Sequence, residues 1–217
     1  MIKPIKIAVV DYGAGNTTNV LKALNKIGIS GFLTSSATEI AAANGIIIPG
    51  VGAFPQAMKQ LKKRQLVSVL QKRAHAGIPI LGICLGMQLL FEKSFEFQET
   101  PGLQLIPGQV IQLPRNQVLK ATHMGWNQNQ VCQTNQLTNQ LDQQYTYFAH
   151  SYYVQSPSHY VTAVTNQGIE IPSVVANQNV YGTQFHPERS GSVGFQILQN
   201  FIQIVQEGST PNVITSN

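Results

Sequence analysis

Residues 78–90 read Ile78-Pro79-Ile80-Leu81-Gly82-Ile83-Cys84-Leu85-Gly86-Met87-Gln88-Leu89-Leu90, an apolar run that passes into a helical pattern through a cysteine flanked by glycines. The run Ile78–Ile83 is typical of a strand buried on both faces. Glycines around a nucleophile permit the tight, strained strand-to-helix turn called a nucleophile elbow. Such an elbow lifts the Cys84 sulfur clear of the backbone and places the Leu85 backbone N–H beside it, where it can stabilise an oxyanion. Cys84 is therefore predicted to be a reactive nucleophile.

Strand-like and helix-like patterns alternate through the first half of the chain. Ile5–Val10 is a β-branched apolar run, and a helix follows it, with Asn16 or Thr17 as its cap and Gly28 at its end. The further predicted strands are Gly31–Thr34 and Gly45–Ile48, and the further predicted helices are Thr38–Ala43, about Gln56–His75, and Leu85–Lys93. This alternation predicts an α/β fold whose mostly parallel sheet carries helices on both faces.

The second half has short strand patterns divided by Gly, Pro and Asn. These predicted strands are Gln109–Leu113, Tyr145–His150, Tyr160–Thr165, Ser173–Asn177 and Val180–Phe185. They indicate an antiparallel or mixed extension of the sheet. An amphipathic helix, about Val193–Val205, is expected to close the fold. Residues 1–207 are thus predicted to form one domain, and residues 208–217 a mobile tail.

The composition and the charge pattern argue against several functions, among them nucleic-acid binding, metal binding and insertion into a membrane. The net charge is +5, yet only 11% of the 217 residues are charged and they are scattered, so nucleic-acid binding is not expected. The one tight basic cluster, Lys62-Lys63-Arg64, is interpreted as a solvated helix face. Cys84 and Cys132 lack metal-ligand spacing, so neither a metal site nor a disulfide is predicted. No apolar run is long enough for a signal peptide or a membrane span, which predicts a cytoplasmic protein in a reducing compartment.

A cysteine nucleophile requires a base, and five histidines compete for that role. His186 is distinguished by the sequence His186-Pro187-Glu188, because residues two apart in an extended segment project together. A carboxylate beside an imidazole selects its tautomer and stabilises the imidazolium. Cys84, His186 and Glu188 are therefore predicted to form a catalytic triad. Cys132, in a polar stretch, is given no role.

Six blocks of sequence carry a family resemblance. They are Asp11-Tyr12-Gly13-Ala14-Gly15-Asn16, Pro49-Gly50-Val51-Gly52-Ala53-Phe54, Gly82–Leu90, His123-Met124-Gly125-Trp126-Asn127, Tyr147-Phe148-Ala149-His150-Ser151-Tyr152-Tyr153 and Gly182-Thr183-Gln184-Phe185-His186-Pro187-Glu188. In this order and spacing, to about Val205, the chain resembles the class I glutamine amidotransferases, and within them the glutaminase subunits of imidazole glycerol phosphate synthase. The resemblance implies a flavodoxin-like sandwich and no cofactor.

The resemblance implies a role for each matched position. Cys84 would attack the glutamine amide to form a γ-glutamyl thioester, His186 would protonate the departing ammonia and then activate water, and Glu188 would orient His186. Pro49–Gly52 resembles a second oxyanion element whose peptide reorients to point inward. The residues implied to bind the oxyanion or the substrate are Val51, Gly52, Leu85, Gln88, Ser151 and Tyr152.

The resemblance also implies a partner. A (β/α)8-barrel cyclase would form a heterodimer with this chain and use its ammonia to make imidazole glycerol phosphate and AICAR in histidine biosynthesis. Asn16, Trp126 and Arg189 resemble residues that face the barrel. Position 189 is usually Lys in this subfamily, and an Arg there differs in shape and donor geometry. Thr122, where Pro is common, and Phe95-Glu96-Phe97, in place of a more acidic pattern, are the other departures.

Three alternatives remain beside this interpretation. A paralogue with the same motifs could supply ammonia to another synthase, such as a sugar amidotransferase of surface polysaccharide assembly. A pseudo-enzyme that only activates a partner is disfavoured by the intact Cys84, His186, Glu188 and Gln88. A cysteine hydrolase or stress protein of similar fold would not be expected to carry Gln88 with His-x-Glu. Nucleotide binding at Asp11–Asn16 is rejected, because the third glycine and the acidic residue of a dinucleotide fingerprint are missing.

Overall fold

Strands and helices alternate along the first half of the chain, and strands dominate the second. The computed structural model describes residues 5–13, 15–114 and 122–208. The strands are β1 (Ile7–Val10), β2 (Gly31–Thr34), β3 (Gly45–Ile48), β4 (Ile80–Ile83), β5 (Phe91–Ser94), β6 (Thr100–Pro101), β7 (Ile106–Gln112), β8 (His123–Val131), β9 (Tyr145–His150), β10 (Tyr152–Gln155), β11 (Val161–Asn166), β12 (Glu170–Asn177) and β13 (Val180–Thr183). The helices are α1 (Thr17–Lys26), α2 (Ala37–Ala41), α3 (Phe54–Lys63), α4 (Leu66–His75), α5 (Leu85–Leu89) and α6 (Gly191–Glu207), and 3-10 turns cover Ser158–Tyr160 and Pro187–Arg189.

One large sheet organises the described residues. Its nine strands run in the order β2-β1-β3-β4-β13-β12-β11-β8-β9. The pairs from β2 to β13 are parallel, whereas those from β13 to β9 are antiparallel. A smaller sheet has the order β10-β7-β5-β6. The predicted α/β sandwich, a parallel sheet with a mixed extension, is confirmed.

The core lies on both faces of the parallel strands. Alternate strand residues point to opposite faces, so one cluster contains Ala8, Val10, Ile46 and Ile48 together with residues of α2 to α5. Ile7, Val9 and Ile47 belong to a second cluster, with residues of α1 and α6. Because parallel strands end at the same edge of a sheet, the segments that follow β3, β4 and β13 meet there.

Two predicted helices have the wrong extent. The predicted helix Gln56–His75 is two helices, α3 and α4, because Gln65 adopts a left-handed conformation with φ of 57° between them. The predicted helix Leu85–Lys93 ends at Leu89, and the chain continues as β5, which pairs with β6 and β7. In this second case the pairing with β6 and β7 overrides a locally helical pattern.

The second half contains strands that its composition did not indicate. Tyr145–His150 is confirmed with its predicted bounds, and the other predicted strands differ at their ends by one to a few residues. β8 enters a stretch rich in Asn and Gln. Asn129 within it is fully buried, and its amide donates to the Gln144 carbonyl at 2.9 Å and to the Thr146 hydroxyl at 2.8 Å. A buried amide whose nitrogen makes two hydrogen bonds thus takes the place of an apolar side chain in this part of the sheet.

The ends of elements add smaller corrections. Asn16 occupies the residue before α1 but makes no side-chain capping hydrogen bond, whereas Gly28 has the left-handed φ expected just beyond the helix. Apart from Gly208, the predicted mobile tail lies outside the described residues, as does Ala14 of the Asp11–Asn16 loop. In the described ranges, no helix has both the length and the apolar character to cross a membrane.

Candidate active site

The chain turns sharply at Cys84, between β4 and α5. Cys84 has φ of 54° and ψ of −108°, a strained conformation for a residue with a side chain. A Cβ at Gly82 would lie 2.5 Å from the Gly86 carbonyl oxygen, and one at Gly86 would lie 1.8 Å from the Ile48 carbonyl oxygen. Only glycine fits at either position, so the glycines of the predicted elbow are required by the close approach of α5 to β3 and β4.

Cys84, His186 and Glu188 lie together because β13 pairs directly with β4. In that parallel pair Thr183 lies opposite Ile83, so the residues that follow each strand converge. The His186 ring lies beside Cys84, close enough for that side chain to raise its pKa, and its Nδ1 is 2.9 Å from a Glu188 carboxylate oxygen. The side chains of His186 and Glu188 are only 4% and 1% exposed. This is the order of contacts that a nucleophile–base–acid triad requires.

The reason for the His186–Glu188 contact differs from the prediction. Pro187–Arg189 forms a 3-10 turn, so the two side chains do not project from an extended segment. The turn is held by the Ser190 hydroxyl, which donates to the His186 carbonyl at 2.7 Å. The carboxylate reaches the imidazole by folding back rather than by lying two residues along a strand.

The charge of His186 follows from this environment. Burial disfavours the imidazolium, but the hydrogen bonds and the charges of Cys84 and Glu188 outweigh it and raise the pKa of His186 to about 10. The ring is therefore doubly protonated at neutral pH. An imidazolium beside the sulfur is placed to give a proton to a leaving group, as general acid catalysis requires.

Two glutamines connect the sulfur with the backbone between β9 and β10. Gln88 donates to the Tyr152 carbonyl at 2.8 Å and to the Gln184 side-chain oxygen at 3.1 Å. Gln184 in turn approaches the Cys84 sulfur at 3.8 Å through its amide nitrogen. The hydroxyl of Ser151, the neighbour of Tyr152, is 2.9 Å from that of Thr122. Gln88, Ser151 and Tyr152 are thus brought together beside the nucleophile.

The segment after β3 lies against the elbow. A Cβ at Gly50 would be 2.7 Å from the Gly86 nitrogen, and the Tyr12 hydroxyl donates to the Pro49 carbonyl at 2.5 Å. Burial, and then the charge of Cys84, raises the pKa of Tyr12. Val51 and Gly52 continue the segment to the surface, where both are exposed, whereas Leu85 at the start of α5 is buried.

The structure adds two residues to which sequence reasoning gave no role. Gln184 is fully buried and contacts both Gln88 and Cys84. Glu96 is 9% exposed and accepts a hydrogen bond from the Phe54 N–H at 2.7 Å. Burial raises the pKa of Glu96 despite that bond. Burial and then the charge of Glu96 raise the pKa of the Tyr152 phenol, so the carboxylate lies near the same part of the site. An acidic residue between two phenylalanines was the only hint in the sequence.

Two of the three predicted interface residues, Trp126 and Arg189, lie on an exposed aromatic surface. Trp126 on β8 is 56% exposed and pairs with Tyr147 on β9, their ring centroids 6.1 Å apart. Arg189 is exposed and places its guanidinium 4.2 Å from the centre of the Tyr147 ring. Met124 and Tyr145 are also exposed, so we define the β8–β9 patch as Met124, Trp126, Tyr145, Tyr147 and Arg189. Asn16 is half-buried at the start of α1.

Other candidate sites are not supported by the described residues. Cys132 is exposed and far along the chain from the elbow, while Cys84 is buried. Within the described ranges, no group of three or more His, Cys, Asp or Glu side chains is arranged to hold a metal ion.

Comparison with known proteins places this geometry in a family. The family profile "Glutamine amidotransferase class-I" matches residues 8–204. The imidazole glycerol phosphate synthase subunit HisH of Listeria monocytogenes serotype 4a (strain HCC23) is 49% identical over 198 residues, covering 91% of this chain and 95% of that protein. The same subunit of Lactiplantibacillus plantarum (strain ATCC BAA-793 / NCIMB 8826 / WCFS1) is 50% identical over 198 residues, with the same two coverages of 91% and 95%.

A solved structure supports the fold independently. The structure of PurLQS from Thermotoga maritima superposes with a TM-score of 0.73 at 19% identity, covering 93% of this chain and 99% of that one. At that identity the likeness concerns the fold alone, whereas the profile and the two relatives identify the family. The chain belongs to the class-I glutamine amidotransferases, among the HisH subunits of imidazole glycerol phosphate synthase.

Proposed function

We propose that this chain hydrolyses glutamine to glutamate and ammonia as the glutaminase subunit of imidazole glycerol phosphate synthase. The observation that carries the proposal is the buried Cys84–His186–Glu188 arrangement, in which the imidazole lies between the sulfur and the carboxylate. The relatives at about half identity carry the name of that synthase subunit. They do not favour the alternative of a sugar amidotransferase.

The chemistry proceeds in two steps. The Cys84 sulfur attacks the side-chain amide carbon of glutamine, and the Leu85 backbone N–H stabilises the resulting oxyanion. The His186 imidazolium gives a proton to the amide nitrogen, ammonia departs and a γ-glutamyl thioester remains. Neutral His186 then takes a proton from water, the hydroxide breaks the thioester, and glutamate leaves with the sulfur restored. Glu188 holds the ring in the orientation that both proton transfers require.

Substrate binding is assigned to the residues around the elbow. Gln88 and the backbone at Ser151 and Tyr152 form one wall, and Val51 and Gly52 belong to the segment proposed to supply a second oxyanion donor. We assign the buried Glu96 carboxylate to the α-ammonium group of glutamine, because a buried carboxylate gains most from a cationic partner. Residues 1–207 are assigned to a single glutaminase domain.

The partner is proposed to be a (β/α)8-barrel cyclase in a cytoplasmic heterodimer, which would complete the lyase reaction of histidine biosynthesis. The β8–β9 patch and Asn16 are the surface assigned to it, since exposed Trp, Tyr, Met and Arg are enriched at interfaces. Ammonia is mostly protonated at neutral pH and then cannot attack, so a closed route between the two subunits preserves its reactivity.

Reconstitution tests the proposal. Glutamate release is measured for the chain alone, with the cyclase, and with the cyclase plus its phosphorylated ribulosyl nucleotide substrate. We expect low activity alone and at least about 100-fold stimulation by the liganded cyclase, because one oxyanion donor is worth that factor. Cys84→Ala should abolish release while the complex still assembles, and free ammonium should replace this chain in the cyclase reaction. High activity of the isolated chain, or release by Cys84→Ala, would contradict the proposal.

A further inference from the structure

Two buried histidines outside the triad lie side by side in the sheet. His123 on β8 and His150 on β9 are paired residues of the antiparallel ladder. They are 4% and 7% exposed. The His123 ring is stacked on Phe148 with the centroids 4.4 Å apart, so its orientation is fixed by packing as well as by hydrogen bonds.

These rings form a linear chain of hydrogen bonds. The Asn127 amide nitrogen is 3.2 Å from His123 Nε2, and His123 Nδ1 is 3.0 Å from His150 Nε2. His150 Nδ1 is 2.9 Å from the Tyr152 carbonyl oxygen. We call Asn127, His123 and His150 the histidine relay. Every nitrogen of both rings is occupied, so neither ring has a free position for another role.

The direction of the relay is determined independently from its two ends. The Asn127 amide orientation is fixed because its nitrogen donates to the Asn166 carbonyl at 2.9 Å and its oxygen accepts from the Gln128 N–H at 2.8 Å. His123 Nε2 must therefore accept, and its Nδ1 must donate to His150. At the other end a carbonyl can only accept, so His150 Nδ1 must donate. Both ends demand the same two neutral tautomers.

A proton on either ring would break this arrangement. His150 protonated at Nε2 would face the His123 Nδ1–H, donor against donor. Burial lowers the pKa of His123 to about 4. Burial first, and then the charge of His123, lowers the pKa of His150 to about 3, although its bond to Tyr152 opposes this. The relay is accordingly neutral at physiological pH, as its geometry requires.

The inner end of the relay reaches the active site. The Tyr152 carbonyl accepts from His150 and also from Gln88 at 2.8 Å, so both of its lone pairs are used. Gln88 contacts Gln184, which contacts the Cys84 sulfur. The position of the Ser151–Tyr152 backbone relative to the nucleophile thus depends on a donor that lies outside the triad.

We propose that His123 and His150 are positioning residues for glutamine binding, acting by holding the Tyr152 carbonyl in place through the neutral relay. This inference rests on the proposed function, because it assigns a role in that same site. Neither residue touches the reacting atoms. Their effect should therefore appear in the KM for glutamine rather than in the chemical step.

The test exploits two amide replacements that imitate different nitrogens of histidine. An Asn amide nitrogen lies near the position of Nδ1, so His150→Asn retains the donor to Tyr152. A Gln amide lies near the position of Nε2, so His150→Gln loses that donor. We expect His150→Gln to raise the glutamine KM of the cyclase complex about tenfold or more, since a buried acceptor loses a partner, with kcat changed less than about threefold. His150→Asn should return KM to within about threefold of wild type.

Two further measurements separate positioning from general damage. The rate at which iodoacetamide alkylates Cys84 should be the same in both variants, because this reagent does not use the glutamine pocket. If His150→Gln fails to fold, His123→Asn and His123→Gln are compared instead. Asn at position 123 retains the donor to His150, and Gln does not. Equal KM values for the Asn and Gln variants, or a loss confined to kcat, would overturn the inference. A wild-type complex without glutaminase activity would instead overturn the proposed function, and this inference with it.

Discussion

Replacing Gly86 by alanine tests whether the close approach of α5 to β3 builds the elbow. The new Cβ would lie 1.8 Å from the Ile48 carbonyl oxygen, where an ordinary contact is 3.4 Å or more. The two backbones would therefore have to separate by about 1.6 Å, and a displacement of roughly 1 Å already costs about 100-fold in rate. Overpacking of a core costs about 1–3 kcal/mol. A loss of about 2 kcal/mol lowers the Tm by roughly 4–8 °C in a chain of this size.

The measurement compares thermal unfolding with glutamate release by the cyclase complex. Gly102→Ala is the matched control, because its Cβ would meet the Phe91 carbonyl oxygen at 2.2 Å, a similar clash beyond α5. We expect Gly102→Ala to lose stability without the 100-fold loss of rate. If Gly86→Ala keeps the wild-type Tm and a rate within about twofold, the steric argument for the elbow is wrong.

Three further predictions concern charge and the surface. Glu188→Gln should lower glutaminase turnover about 10²–10⁴-fold. In wild type the His186 imidazolium is lost only as the pH rises toward about 10, and nitrogen NMR of the variant should show that loss at a lower pH. An unchanged titration would contradict the assigned pair. Acidification from pH 6.5 toward 4 should lower the urea midpoint of wild type more than that of His123→Asn. The reason is that the unfolded chain takes up protons that the folded chain excludes from His123 and His150. If the urea midpoints of the two proteins fall in parallel with pH, the rings are not buried and neutral. Trp126→Ala should change the free energy of unfolding by less than about 0.5 kcal/mol, since the ring is exposed. Calorimetry should nevertheless show the cyclase complex weakened by about 2 kcal/mol. Full affinity of the variant for the cyclase would exclude the β8–β9 patch as the interface.

The central parallel strands were predictable because they are buried on both faces, whereas the edge strand β2 is only partly buried. Gly31–Thr34 and Gly45–Ile48 have the bounds that their apolar runs indicated. The break at Gln65 was not predictable, since the residue adopts φ of 57° without being glycine or asparagine. Phe91–Ser94 was assigned to a helix, because its pairing with β6 and β7 depends on residues outside the segment itself. Local propensity does not contain that information.

The site was predictable where motif and geometry coincide. Cys84, His186 and Glu188 were chosen from two short motifs, and the pairing of β13 with β4 is what brings them within contact. Gln184 and Glu96 were not assigned, because a buried amide or carboxylate is recognised by its partners and not by its neighbours in sequence. The histidine relay was not predicted, although both of its histidines lie in the blocks that carry the family resemblance. Its direction depends on the Asn127 amide, whose contacts lie on β8 and β11.

Labelling of the two cysteines by a glutamine-like electrophile tests the central claim most directly. The chain, in complex with the cyclase and its nucleotide substrate, is treated with the diazoketone analogue of glutamine and mapped by mass spectrometry. Cys132 is the internal control, because it is exposed whereas Cys84 is buried. A single adduct on Cys84 that glutamine prevents is the predicted result. An adduct on the exposed Cys132 that glutamine does not prevent would contradict the assignment of Cys84 as the nucleophile of a glutamine site.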